Sequence, residues 1–195
     1  MAAILLTGRP GSGKTTLVRR VLQALQAPAG GFYTRETRDP DGRRTGFELV
    51  TLDTHDPATE DGQARLPDGQ GQVATLAHIS IGGAHRVGRY GVDIAALERV
   101  GVPAIEAAAA SGRIVVIDEI GKMELLSMAF QRAVIEVIRR HRLLFGAIMQ
   151  ARHPFADELK AQPDILLFEL TEANRDEVRS LVEAHLRAAL GQLSV

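Results

Sequence analysis

Residues 8–15, Gly-Arg-Pro-Gly-Ser-Gly-Lys-Thr, match the pattern G-x-x-x-x-G-K-[ST] in full and follow directly on the apolar run Ala2–Leu6. A strand that enters a glycine-rich loop and then opens a helix aims backbone N–H groups and a helix N-terminus at one point. That point suits a chain of phosphates. Its glycines let the backbone wrap closely around the anion. Lys14 is placed to reach the β and γ phosphates as a point charge, and the Thr15 hydroxyl to bind Mg2+. The chain holds only three lysines, Lys14, Lys122 and Lys160, so the one in this loop does not follow from lysine abundance. A turn before an amphipathic helix would also carry glycine and proline, but not the complete pattern in strand–loop–helix order. The expected ligand is a nucleoside triphosphate, and its expected contacts are Gly8, Arg9, Pro10, Gly11, Ser12, Gly13, Lys14, Thr15 and Thr16.

A second run, Ile114-Val115-Val116-Ile117-Asp118-Glu119, is apolar and ends in two carboxylates. Beside a phosphate loop, Asp118 is suited to hold Mg2+ through its water shell, which pairs it with Thr15 as a metal ligand. Glu119 points elsewhere and is suited to polarise an attacking water. The catalytic expectations therefore fall on Glu119 and Lys14. Any strand can end in solvated acids; the phosphate loop upstream favours chemistry.

These groups need a scaffold of alternating strands and helices. Thr15–Leu25 carries Leu17, Val18, Val21, Leu22 and Leu25 on one helical face, and Gly30 and Gly31 are expected to end it. Phe32–Arg38 and Arg44–Leu52 flank Asp39-Pro40-Asp41-Gly42 and read as a hairpin. Asp53–Gln72 has almost no large apolar residue and reads as a mobile loop. Val73–Ile79 follows as a short strand. Asp93–Val100 and Pro103–Ala110 read as two helical pieces broken at Gly101, with Pro103 in a first turn. Ile114–Ile117 has the apolar, β-branched character of a strand buried on both faces. Then come a helix over Leu126–His141, a strand over Leu143–Met149, a short helix over Pro154–Ala161 and a strand over Ile165–Leu170. The last helix, Asn174–Leu190, presents Val178, Leu181, Val182, His185, Leu186 and Ala189. Right-handed crossovers turn this order into an α/β fold, a mostly parallel sheet between helices with the hairpin as an antiparallel addition. The length of 195 residues suits a single domain over 1–195, with the hairpin and loop as an insertion over about 30–80.

Composition narrows the function classes. Net charge is −1 and no basic stripe is present, so nucleic acid and anionic membranes are not indicated as partners. The chain has no cysteine, which excludes disulfides, thiolate zinc sites and a cysteine nucleophile. No apolar run reaches membrane-spanning length, and the first residues lead straight into a core strand rather than a signal peptide. The expectation is a cytoplasmic monomer.

Five segments occur in order: Thr7 to Thr16, Gly31-Phe32-Tyr33-Thr34, Gly46-Phe47, Val87-Gly88-Arg89-Tyr90-Gly91-Val92, and Asp118-Glu119-Ile120-Gly121-Lys122-Met123-Glu124-Leu125. Together they resemble the nucleoside-triphosphatase family that includes the cancer-related human enzyme and small proteins of thermophiles. The likeness runs over essentially the whole chain. It implies a RecA-like P-loop fold and Mg2+-dependent hydrolysis of several nucleoside triphosphates (ATP, GTP, CTP, UTP). It also carries over the roles of Gly8 to Thr15, Asp118 and Glu119.

Other residues invite roles with less support. Arg9 can touch a phosphate or stay solvated, and Lys122 can pair with Glu119 or Glu124. Arg35, Arg44, Arg89 and Arg152 are candidates for an arginine finger, though none has a spacing that singles it out. The six histidines show no metal-ligand spacing. Gln150 follows a strand where related folds place a γ-phosphate sensor, an argument from fold analogy. Thr171 to Asn174 can contact the base or cap a helix.

Three functions stay open: a free-standing hydrolase, a nucleotide or nucleoside kinase, and a nucleotide-driven switch. A kinase has no need of a water-activating Glu119. A guanine-specific switch would carry an Asn/Thr-Lys-x-Asp reader, and neither Lys122 nor Lys160 lies in one. Without that reader, and with aromatics at only 4 %, ATP, GTP, CTP and UTP are expected to differ in kcat/KM by less than about a hundredfold, equivalent to about 2.7 kcal/mol. Steady-state phosphate release from each triphosphate checks this, and a strong preference for one base would reveal a specific reader.

Overall fold

The computed structural model describes residues 3–53 and 71–193. Ala3, Ile4, Leu5 and Leu6 are all fully buried. Successive side chains of a strand point to opposite faces, and here Ala3 and Leu5 join one apolar core while Ile4 and Leu6 join another. A strand apolar on both faces needs helices above and below it, and that requirement organises the chain.

In order, the elements are β1 (Ala3–Thr7), α1 (Lys14–Leu25), β2 (Ala29–Arg38), β3 (Arg44–Asp53), β4 (Val73–His78), β5 (Arg86–Val87), β6 (Tyr90–Val92), α2 (Ile94–Ala96), α3 (Val102–Ala110), β7 (Ile114–Ile120), α4 (Met128–Arg139), β8 (Leu144–Ile148), α5 (Pro154–Lys160), β9 (Ile165–Glu169) and α6 (Arg175–Leu193). Within the described residues the strands form one sheet in the order β5-β6-β4-β3-β2-β7-β8-β1-β9. From β2 to β9 the neighbours run parallel, and β3, β4, β6 and β5 extend that sheet antiparallel. Leu17, Val18 and Val21 of α1 pack with Val178, Val182 and Leu186 of α6 on one face. Ile105 of α3, Val134 of α4 and Leu159 of α5 belong to the core on the other. The result is the expected α/β architecture, with the phosphate loop and Asp118 both at the C-terminal ends of parallel strands, where open sheets of this kind bind ligands.

The hairpin also forms as expected, with β2 and β3 pairing from Gly30↔Asp53 to Arg38↔Arg44. Its turn closes through Gly42 N–H donating to the Asp39 carbonyl at 2.9 Å and Arg43 N–H to the Asp39 carboxylate at 2.8 Å. The loop expected over 53–72 lies, for residues 54–70, outside the described residues.

Several boundaries differ for identifiable reasons. Gly30 and Gly31 do not end α1. The helix stops at Gln26, whose left-handed φ of 50° closes it with a bond to the Leu22 carbonyl, and both glycines lie inside β2. Gly101 does not break the helix before β7. Instead α2 continues through a π-helical turn, Leu97–Gly101, into α3, with Val102 N–H donating to the carbonyl of Leu97 five residues back. That wider turn precedes Pro103, which lacks an N–H and is easiest to place in a first turn. Gly101 is buried, and a side chain there would meet Leu49 and Leu97. The helix expected from Leu126 begins at Met128, with Ser127 capping the Phe130 N–H. On α6, Leu181 and His185 are exposed rather than in the core, and the His185 ring lies 6.0 Å from that of Phe168.

Gly31 shows why the central strands tolerate no side chain there. It has φ +121°, and a Cβ would sit inside the van der Waals envelope of the Val116 carbonyl oxygen on β7. Gly31→Ala is expected to destabilise the chain by about 3 kcal/mol or more, combining backbone strain with overpacking. The midpoint of urea unfolding reads this, and an unchanged midpoint would contradict the close approach of β2 to β7.

Candidate active site

The turn after β1 is shaped by contacts at its base. Gly8 has φ +144°, and a Cβ there would run into the Leu170 carbonyl just beyond β9, while Leu170 N–H donates to the Thr7 carbonyl at 2.7 Å. Gly13, with φ 101°, ends the turn as the residue before α1. Lys14 Nζ donates to the carbonyls of Gly8 at 3.0 Å and Arg9 at 3.3 Å. Ser12 is buried with no partner for its hydroxyl, whereas Arg9, Pro10, Gly11, Thr15 and Thr16 are exposed along the rim. All nine residues expected to meet the nucleotide thus belong to this one turn and the start of α1.

Asp118 stands across from it near the end of β7, only 2 % exposed. The strand continues past the expected Ile117 to Ile120, so Asp118 and Glu119 are strand residues on opposite faces. Thr15 Oγ1 donates to Asp118 Oδ2 at 3.1 Å. The Thr34 N–H, on β2, points at the same oxygen from 3.4 Å. Asp118 Oδ1 is buried with no hydrogen-bond partner. Burial pushes this carboxyl up to about 6, against the bonds from Thr15 and Thr34, which favour its ionised form. A hydroxyl bonded to a carboxylate whose other oxygen is orphaned forms an oxygen donor set of the hard kind that Mg2+ takes.

Glu119 is half-buried and faces a cleft of about 520 Å3 whose walls include Gly8, Lys14, Thr34 and Gln150. Gln150 follows β8, the strand between β1 and β7, and its amide donates to Glu169 at 3.1 Å. On the other flank of the loop, between α1 and α6, a smaller cleft of about 250 Å3 is lined by Thr16, Arg20, Arg175 and Arg179.

The remaining candidates separate clearly. Arg35 is paired with Glu48 at 2.7 Å. Arg44 bonds Glu36 at 2.6 Å and the Tyr90 hydroxyl at 3.1 Å, and Arg89 lies over the Tyr90 ring while donating to the Arg44 carbonyl. Those three hold the antiparallel extension together. Arg152 and Lys122 are exposed and make no ion pair among the described residues. Asn174 caps: its side chain accepts from Thr171 N–H at 2.8 Å and donates to the Glu169 carbonyl at 2.9 Å. Among the described residues no three His, Asp or Glu side chains form a metal cluster, and no helix is long and apolar enough to cross a membrane; His55 lies outside the described residues.

Sequence reading missed three participants. Arg175, at the start of α6, donates to the Ser12 carbonyl at 2.7 Å and straps the loop from 163 residues away in sequence, a distance no local motif reports. Thr34 was present in the Gly-Phe-Tyr-Thr segment without a role. Glu124 belongs to the string after Asp118, yet its carboxyl is 5 % exposed. Burial, reinforced by the negative charges of Glu119 and Asp118, pushes it up from 4.5 to about 8.

Glu124 has a consequence for stability. Its folded-state value lies above the unfolded one, so folding favours the protonated acid. The stability this confers relative to an uncharged side chain is complete below about pH 4.5 and is lost as pH rises towards about 8. Glu124→Gln is therefore expected to unfold at a temperature that gains on the unmodified chain from pH 5 to about pH 8 and then levels off towards pH 9. Thermal unfolding across that range checks it, and a difference independent of pH would overturn it.

A family described as NTPase matches residues 3–182. The chain is 37% identical over 189 residues to the nucleoside-triphosphatase THEP1 of Thermotoga sp. (strain RQ2), covering 97% of this chain and 98% of that one. It is 35% identical over 198 aligned positions to the cancer-related nucleoside-triphosphatase homolog of Bos taurus, covering 95% and 97%. The crystal structure of THEP1 from Aquifex aeolicus superposes with a TM-score of 0.76 at 30% identity, over 92% of this chain and 96% of that one. The solution structure of a human cancer-related nucleoside triphosphatase does so with 0.75 at 30% identity, over 96% and 98%. With a complete phosphate loop facing Asp118 and Glu119 on a shared fold, this chain belongs to the NTPase family of P-loop proteins.

Proposed function

We propose that the chain hydrolyses nucleoside 5'-triphosphates to diphosphate and phosphate, with Mg2+ as cofactor and with little discrimination among bases. The observation that carries the reading is the Thr15–Asp118 pair, a hydroxyl bonded to one oxygen of a buried carboxylate whose other oxygen has no partner. Thr15 and Asp118 would hold the metal. When bound, it neutralises charge on the β and γ phosphoryl oxygens.

The protein groups divide the rest of the work. The N–H groups of the loop and the N-terminus of α1 receive the phosphates. The Lys14 ammonium, now on two loop carbonyls, exchanges them for phosphoryl oxygens. Arg175 keeps the loop in shape by gripping the Ser12 carbonyl. Glu119, in the cleft with Lys14, orients a water towards the γ phosphorus and accepts its proton. The 250 Å3 cleft on the opposite flank suits ribose and base. Its Arg20 guanidinium can lie against any base without reading its edge, which favours broad tolerance, while Arg179 is paired with Glu183 at 2.7 Å. The chain acts as a monomer in this scheme, with both clefts lined by residues of one chain.

Two substitutions test the division of labour. Glu119→Gln is expected to keep affinity for Mg2+ and a non-hydrolysable triphosphate roughly intact, while turnover falls about 10²-fold or more. Asp118→Asn is expected to weaken apparent Mg2+ affinity as well, since it removes the charge facing the metal. Calorimetric binding beside phosphate release separates the two, and near-normal turnover in Glu119→Gln would remove Glu119 from the reaction.

A further inference from the structure

The 520 Å3 cleft at Glu119 is far larger than hydrolysis requires. One water takes up roughly 30 Å3, and the γ phosphoryl group adds little more. Five of the residues lining the cleft are Phe47, Leu76, Val87, Met123 and Met149, which do nothing for a phosphate or a water. Phe47, Leu76 and Val87 come from β3, β4 and β5, the antiparallel extension that the phosphate loop and Asp118 do not need. The extension thus supplies an apolar wall to this chamber, which is continuous with the phosphate loop at Gly8, Pro10 and Lys14. Clefts of this size, mostly apolar with a few converging polar groups, are what small organic ligands occupy.

We infer that this chamber binds an uncharged, largely apolar alcohol and that the protein transfers the γ phosphoryl group to its hydroxyl, water being the acceptor when the chamber is empty. The inference rests on the triphosphate reading above. The lining argues for the class of acceptor. Beyond Lys14, committed to the loop, the only cation on the wall among the described residues is the exposed Lys122, too little to hold an acceptor that already carries a phosphate. Glu119 on the same wall suits a hydroxyl donor. An aromatic ring and two thioethers among the lining residues suit a flat apolar body. In the reaction the hydroxyl oxygen attacks the γ phosphorus, and its proton passes to Glu119 and then to solvent. The bond from the γ phosphorus to the β–γ bridging oxygen breaks, its electron pair leaving with the nucleoside diphosphate. The products are a phosphate monoester and the diphosphate.

The test uses the full chain with Mg2+–ATP and, as probes, benzyl alcohol and 3-pyridylmethanol, with glycerol as the polar control. Phosphorus NMR reads inorganic phosphate and the phosphate ester in the same tube. The expected result is at least about tenfold more ester per mole from each aromatic alcohol than from glycerol. Val87→Asp, which puts a charge on the apolar wall, and the milder Phe47→Leu are each expected to cut ester formation at least about fivefold. Both should leave phosphate release without alcohol within about twofold. Phosphate release with no more ester from the aromatic alcohols than from glycerol would overturn the inference while leaving hydrolysis standing. So would ester yields untouched by both substitutions. No phosphate release at all would instead overturn the triphosphate reading on which it rests.

Discussion

The Asp118 carboxyl sits near the end of a strand buried on both faces, with one oxygen 3.1 Å from the Thr15 hydroxyl and the other without a hydrogen-bond partner. Leaving such a buried acceptor unmade costs about 1–3 kcal/mol, and more if it is ionised. The fold sustains that cost where three elements converge: α1 brings Thr15, β2 brings Thr34, and β7 brings the carboxyl itself. A group kept short of partners inside a rigid frame leaves an open acceptor beside the phosphate loop, and the neighbouring parts of the site can be understood by how they hold that frame.

Sheet order does much of the holding. Because β8 lies between β1 and β7, the loop and the carboxylate are separated by one strand, and Gln150, two residues beyond β8, lines the same cleft while its amide donates to Glu169. On the other side, β9 brings the Leu170 carbonyl against Gly8 and leads into α6, whose Arg175 grips the loop. The close approach of β2 to β7 at Gly31 brings Thr34 within reach of Asp118. A bulkier residue at Gly8 or Gly31 would act on the chemistry through the spacing of strands rather than through contact with substrate.

The antiparallel extension plays a different part. Its arginines, finger candidates that no spacing singled out, are consumed by Glu48, Glu36 and Tyr90. Its apolar side chains matter more, since Phe47 packs edge-on to Tyr90 at 5.2 Å and also faces the cleft beyond Glu119. One end of the sheet therefore carries the phosphate chemistry, and the extension sets the shape and polarity of the space next to it.

The alternation of apolar runs with helical periodicity was enough to place β1, α1, the hairpin, β7, α4 and α6 to within a few residues, because buried faces impose their period locally. The phosphate loop and the Asp118–Glu119 pair were readable for the same reason: a turn, a strand end and their side chains are short-range objects. The continuation through Gly101 was not readable, since a glycine there signals a break unless one knows that Leu49 and Leu97 occupy the space a side chain would need. His185 and Leu181 have core periodicity, yet α6 is turned so that Val178, Val182 and Leu186 face the sheet. Sequence by itself determined which residues could meet a triphosphate and a metal. Only the tertiary structure decided that Thr34, Arg175 and Glu124 join them and that five apolar side chains line the cleft at Glu119, because those contacts link residues remote along the chain and follow from sheet order and packing.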